Sequence, residues 1–374
     1  MGAHGLRRFR KVLILAAVGI GWASVPTVLL GQRQFHVTSP GSCQQCRISL
    51  TRATILRSPS SESAFTSRTT LVQNSRGVVF LAPVAQPGQV LRFSSSGAYL
   101  GSFGEHGERS GTLGVITTIV VDPADSLHVF DRQKRQTVFS PVDLSYARHS
   151  ATPASAIAAV ILPPGNSVIH ADIRTPGRVG FPVHMLDEHG AVQRSFGAEV
   201  PEFSVDQPWL SYRSLAKGGT DRTLWLARFN QYRIEQWDTA GTLVCVILRD
   251  APWFPTWRRW NNDPMASPPL PRLLSVREDH AGRLWVLIGV ADSAWQQTPA
   301  RDRGRDRRLS ASERSRFFDT IVEVIDLRSG RLLASRRHPD LLSAFVSDDL
   351  VFLRRNNGPE RNEIELWRVG LIEH

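Results

Sequence analysis

The chain has 374 residues, 41% of them apolar, a formal net charge of +11 and three cysteines. That apolar content excludes disorder of the whole and is enough to bury one large core or two ordinary ones. The charge does not point to nucleic acid as a partner: Lys11, Lys134 and Lys217 are the only lysines, so the excess is an arginine skew expected of a GC-rich genome, whereas a nucleic-acid face clusters its charge.

The first element is a leader. Arg7, Arg8, Arg10 and Lys11 precede an apolar run from Val12 to Ile20, and Gly21 and Ala23 stand at the small-residue positions of a cleavage site. Residues 1–23 are read as a signal peptide. The alternative is an uncleaved segment reaching Leu30 that anchors the chain to a membrane. Removal of the leader takes four cations with it, so that +11 becomes +7. The expected localisation is exported: periplasmic, cell-surface or extracellular.

Residues 24–45 read as a linker carrying Cys43 and, one step beyond it, Cys46. In an oxidising compartment this C-x-x-C spacing suits a tight disulfide, with two free thiols as the other reading. Residue 47 is Arg rather than the His of a haem attachment, and no second Cys pair completes a zinc site. Cys245, inside "LVCVIL", reads as a small buried residue. The stretch 46–56, "CRISLTRATIL", reads as one isolated strand with no hairpin partner nearby.

A repeating grammar starts at "VLRFSSSGAYLGSFG" (90–104), where apolar and small polar residues alternate and glycine closes the turn. It continues in "VVDPADSLHVFDRQKRQTVF" and returns in "FPVHMLDEHGAVQRSFG", "TLWLARFNQYRIEQWDTAGTLVCVIL", "REDHAGRLWVLIGV", "IVEVIDLRSGRLLASRR" and "DDLVFLRRNNGPERNEIELWRVGL". Phe93, Phe139, Leu186, Trp237, Ile325 and Trp367 are equivalent positions, separated by 46, 47, 51, 88 and 42 residues. One long step, swollen by insertions at 251–271 and 293–318, leaves six units. Units of 40 to 50 residues with four short strands cannot bury both faces alone, and packing them radially is the known solution. The expected fold class is all-β, a six-bladed β-propeller spanning 46–372 behind an N-terminal signal or anchor segment, the ring closed by strand 46–56 pairing near Ile364 to Val369.

On these residues the chain resembles the NHL-type repeat of exported bacterial six-bladed propellers. That repeat runs as an apolar strand, a turn ending in Gly, a strand ending in Phe-Gly, then Asp, a turn and a further strand. Asp125-Ser126 departs from it by replacing the turn glycine, and no Pro follows the Gly-rich loop near Gly114. Some relatives of this architecture are calcium-dependent lactonases or lyases, but their ligands do not map onto this chain.

No G-x-S-x-G elbow, H-E-x-x-H or phosphate loop is present, so no catalytic residue is assigned. His184 and His189 lie at an odd separation, which points strand side chains to opposite faces, so no metal ligand is assigned either. Trp237-Asp238 reads as a blade-edge turn. In "APWFPTWRRWNNDPMASPPLP" the residues Trp253, Trp257, Arg258, Arg259 and Trp260 form the candidate ligand-binding set, because rings beside guanidinium groups stack on sugars or peptides and fork to anions. The competing reading is that the rings cap the propeller edge and bury one another. In "RDRGRDRRLSASERSRFF" (301–318), Ser310 and Glu313 form a capping box for a short helix after a solvated arginine-rich loop. The expected role is a non-catalytic binding or scaffolding propeller, whose partner is a peptide, a glycan or an envelope protein; a secreted metal-dependent lactonase or lyase is the alternative.

Overall fold

The computed structural model describes residues 32–38, 43, 45–57, 65, 69–84, 86–197, 203, 206–260, 263–297, 315–356 and 362–373. The leader and the capping box of Ser310 and Glu313 lie outside them. Two strands come first, β1 (Arg33–Val37) and β2 (Arg47–Arg57), followed by five four-stranded antiparallel units and a three-stranded one that β2 completes. Blade I is β3 (Thr69–Gln73), β4 (Val79–Pro83), β5 (Val90–Phe93) and β6 (Tyr99–Phe103); blade II is β7 (Ile116–Val121), β8 (Leu127–Asp131), β9 (Arg135–Phe139) and β10 (Tyr146–Ala151). Blade III holds β11 (Ala158–Leu162), β12 (Asn166–His170), β13 (Val183–Leu186) and β14 (Val192–Phe196), and blade IV holds β15 (Arg213–Lys217), β16 (Thr223–Arg228), β17 (Arg233–Asp238) and β18 (Leu243–Arg249). Blade V has β19 (Arg272–Glu278), β20 (Arg283–Ala291), β21 (Phe318–Asp326) and β22 (Arg331–His338), and blade VI has β23 (Ala344–Phe345), β24 (Leu350–Asn356) and β25 (Asn362–Ile372), with β2 as its fourth strand.

The six equivalent positions fall on the third strand of every blade, and each sits at a bulge. Phe93 pairs with Tyr99 while Arg92 pairs with Gly101, leaving Leu100 extra. The same one-residue surplus follows Phe139, Leu186, Trp237 and Ile325 in blades II to V. In blade VI it is Ala53, because Trp367 pairs with Arg52 and Leu366 with Thr54. A bulge bends its strand and sharpens the local twist. Its recurrence marks β2 as the outer strand of blade VI, supplied from the opposite end of the chain.

One apolar cluster fills each seam between neighbouring blades. Phe80 and Val90 meet Ile119 and Phe139 between I and II, and Phe130 meets Ile161 and Ile169 between II and III. Met185 and Phe196 meet Leu226 and Trp237 between III and IV, and Trp225 and Ile247 meet Val286 and Ile325 between IV and V. Trp285 and Val324 meet Val351 and Ile48 between V and VI, while Leu56 and Phe352 meet Leu81 and Phe93 between VI and I. Alternation along each strand therefore serves two seams at once, which is why the pattern has period two although both faces are covered.

The glycines quoted from the repeat, Gly97, Gly190 and Gly330, close the hairpin between the third and fourth strands with φ of 86°, 83° and 69°. At Gly190 a Cβ would stand 1.8 Å from the carbonyl oxygen of Ala151 in blade II, so both conformation and space require glycine there. Asp125 takes the left-handed conformation without glycine, at φ 66°. The neighbouring Asp122 carboxylate stabilises that turn by accepting from the backbone N–H of Ala124 and Ser126.

Residues 24–45 are not linker throughout. Arg33–Val37 forms β1, a fifth strand that runs parallel to β18 on the outer edge of blade IV, from Arg33 opposite Cys245 to Val37 opposite Arg249. Phe35 and Val37, two residues apart, turn one side inward; Val37 is buried in the IV–V cluster and Phe35 packs against it. A side chain on Gly330 of blade V would strike the Phe35 ring. Cys43 and Cys46 are joined by a disulfide, and Cys46 packs against the V–VI cluster just before β2 begins. The described parts of the N-terminal segment thus lie on blade IV, through β1, and on blade VI, through β2.

Candidate functional site: the insertion-bearing end of blades IV and V

In an antiparallel four-stranded blade, the connection to the next blade and the loop between the second and third strands leave from one end. Both insertions use that end. Residues 250–271 join β18 to β19, and 292–317 join β20 to β21. They touch directly where the Trp295 indole N–H donates to the carbonyl of Pro264 at 2.7 Å. The 3₁₀ turn Pro208–Leu210, which leads into blade IV, joins them through the Trp209 indole N–H and the carbonyl of Arg258, 2.9 Å apart.

The tryptophans of the 251–271 insertion divide between packing and exposure. Trp257 is buried and donates its indole N–H to the carbonyl of Pro271 at 2.7 Å. Its ring lies edge-on to Phe229 at 5.8 Å and 5.3 Å from Trp260. Trp260 is half-buried and stacks on Phe229 with centroids 5.1 Å apart and planes 17° apart. Trp253 packs against Tyr232 and Phe254 in a second, separate cluster. Arg258 and Arg259 are exposed. The set therefore does not form one open aromatic surface; its outward part is the two exposed arginines that precede Trp260 in the chain. Trp257→Ala is expected to destabilise the chain by about 3–5 kcal/mol through the cavity it leaves, measured by urea unfolding.

Residues far apart in sequence complete this end. Arg272, the first residue of β19, lies 4.2 Å from the Phe318 centroid, 5.8 Å from Trp260 and 5.9 Å from Phe229, a cation enclosed by three rings. Beside the second aromatic cluster is a cleft of about 440 Å³, lined among others by His36 of β1, Gln231, Tyr232, Arg249, Phe254 and Thr256. Two of its lining residues belong to a polar network in the IV–V seam: the Tyr232 hydroxyl donates to Glu323 Oε2 at 2.7 Å and Arg249 Nη2 lies 2.9 Å from Glu323 Oε1. Burial pushes the Tyr232 pKa up, and the adjacent Glu323 charge adds to the rise.

Glu323 belongs to a series. Two residues before the equivalent positions of blades IV, V and VI stand Glu235, Glu323 and Glu365, all buried, where blades I to III carry Leu91, Thr137 and His184. Glu235 accepts from Arg228 and Arg233, and Glu365 accepts from Arg355; the indoles of Trp237 and Trp367 donate to the carboxylates two residues before them. The signal was present in the sequence as Glu-x-Trp at 235–237 and 365–367. In blade III, His184 bonds to Ser195 Oγ at 2.8 Å and to the carbonyl of Ala171 at 3.2 Å, and burial lowers its pKa to about 4, so its ring is neutral. His189 is exposed. Among the described residues no group of three or more His, Cys, Asp or Glu side chains comes together as a metal-ligand set, and no helix is long and apolar enough to cross a membrane.

Six radial four-stranded sheets with one apolar cluster per seam define the class: the chain is a six-bladed β-propeller. No family model and no curated protein matches it. Among solved structures it is similar to the crystal structure of a "Putative exported protein" from Bacteroides fragilis NCTC 9343, over 91% of this chain and 99% of that one, with a TM-score of 0.58 and 12% sequence identity. At that identity the likeness is one of fold.

Proposed function

We propose that the chain is an exported, non-catalytic binding or scaffolding propeller of the NHL-repeat type, and that a peptide, glycan or envelope protein docks on the insertion-bearing end of blades IV and V. The observation that carries this reading is the concentration of both insertions at one end of two adjacent blades, tied together by the Trp295–Pro264 hydrogen bond, with Arg258 and Arg259 exposed beside Trp260. Blades without such insertions complete the ring equally well, so closing the fold does not require them. Export is supported by the leader and by the Cys43–Cys46 disulfide, which suits an oxidising compartment. The structural neighbour's description as exported agrees with it.

The test uses the exposed pair, whose removal leaves the packed rings in place. In the Arg258→Ala/Arg259→Ala variant, binding to whichever of peptidoglycan sacculi, soluble glycans or purified envelope proteins the parent retains should weaken roughly tenfold or more. Binding unchanged on every fraction, with an unchanged melting temperature, would remove this end as the docking surface.

A further inference from the structure

The seam between blades III and IV, at the same end of the ring, holds a cation whose hydrogen bonding is incomplete. Arg213, the first residue of β15, is 3% exposed. Its Nη1 donates to the carbonyls of Leu210 and Tyr212, both at 3.0 Å. Nε and Nη2 are buried and have no hydrogen-bond partner among the described residues. These two nitrogens form one edge of the guanidinium plane, with their N–H bonds parallel, which is the edge that grips a carboxylate or phosphate with two hydrogen bonds.

The surroundings add positive charge. Arg213 pairs across the ladder with Arg228, and Arg233 begins the next strand, so three arginines stand in a row over β15, β16 and β17 on one sheet face. Arg228 and Arg233 both bond to Glu235 Oε1, at 3.1 and 2.5 Å, while Trp237 donates to Oε2 at 3.1 Å. Three guanidinium groups therefore face one carboxylate that already has its hydrogen bonds, a local excess of two positive charges. Burial, with Arg228 and Arg233 adding like charge, brings the Arg213 pKa down to about 9. A buried cation in such a place is costly unless an anion completes it, and native interiors rarely leave such donors open. Arg228 and Arg233 each keep about a quarter of their side chains accessible (24%), so the row reaches solvent at those two arginines.

We propose that the III–IV seam is an oxyanion-binding site, in which the Nε/Nη2 edge of Arg213 holds a carboxylate or phosphate group, with Arg228 and Arg233 supplying the surrounding charge. The site is independent of docking at Arg258 and Arg259. Two parallel donors beside two further cations match the two oxygens of a carboxylate or phosphate.

The experiment is a thermal-unfolding titration of the full chain with inorganic phosphate, acetate and chloride at fixed ionic strength. Phosphate, acetate or both should raise the melting temperature saturably, by about 4 °C at one hundred times Kd, and chloride should not. A response to acetate alone assigns the site to carboxylates, and a response to phosphate alone to phosphoryl groups. Arg213→Met, which replaces a buried charge by a shorter unbranched apolar chain, should abolish the response, and Arg213→Lys, which keeps the charge without the two-donor edge, should weaken it at least tenfold. The Arg258→Ala/Arg259→Ala variant should respond like the parent. Equal shifts in the parent and in whichever Arg213 variant folds, or no shift with either oxyanion in the parent, would overturn the assignment.

Discussion

A chain starting at Ser58, lacking both β1 and β2, is expected to show no cooperative unfolding transition, while one starting at Thr38, lacking β1 alone, keeps a single transition at lower stability. β2 contributes Ile48, Leu50 and Leu56 to the clusters on both sides of blade VI and forms a long antiparallel ladder with β25, from Arg47 opposite Ile372 to Arg57 opposite Glu363. Losing three buried aliphatic side chains removes about 5–8 kcal/mol, comparable with the entire net stability of a domain, and leaves β25 as an open edge. β1 removes less: Val37 and the partly buried Phe35 together account for about 3–5 kcal/mol. Its loss also uncovers the edge of β18, so the shorter chain should self-associate as concentration rises. Differential scanning calorimetry with light scattering separates the two cases. A sharp transition from the Ser58 chain would mean that five complete blades and a partial sixth suffice, against the closure inferred from the ladder.

The repeat was legible because each unit fixes the same geometry. A third strand ending in a large apolar residue, a turn and a bulged fourth strand produce steps near 46 residues, and the one 88-residue step resolves into the two loops that leave blades IV and V at the same end. The edge strand β1 was not legible. β1 offers only Phe35 and Val37 as apolar residues, and its partner begins more than 200 residues later; a parallel edge pairing leaves no turn signal between its strands. The tryptophans of 251–271 were ambiguous for a related reason, since a ring that binds and a ring that packs have the same composition. Burial of Trp257 against Phe229 depends on the loop between β16 and β17, which the local sequence cannot report. Arg213 was invisible because "YRSLAK" is an ordinary strand start, and only the register against Arg228 brings the three cations together.

The largest effect of a single charge should come from Glu235. Its side chain is fully buried and is the one carboxylate, among the described residues, that acts on Arg213. Glu235→Gln leaves three arginines without a countercharge, and breaking a buried pair from one side costs about 3–5 kcal/mol. The pH dependence distinguishes this loss from a packing defect. Burial alone would raise the Glu235 pKa, but Arg228 and Arg233 outweigh it and hold the group below the usual carboxylate value. An acid with a depressed folded pKa binds fewer protons than the unfolded chain between its two pKa values, so its contribution is complete above the unfolded value near 4.5 and disappears as pH falls through the folded one. The penalty of Glu235→Gln should therefore be constant near neutrality and shrink below about pH 4.5. Glu323 should behave oppositely. There burial prevails over Arg249 and the Tyr232 hydrogen bond, and the pKa is raised, so its favourable term is complete below 4.5 and is lost as pH rises through the folded value. The penalty of Glu323→Gln is expected to be greatest in acid and smaller at pH 7 than that of Glu235→Gln. Urea unfolding of the parent and both variants from pH 3.5 to 7.5 measures the two slopes; parallel profiles would show that the seam carboxylates share one environment, and would remove the charge imbalance on which the distinct character of the III–IV seam rests.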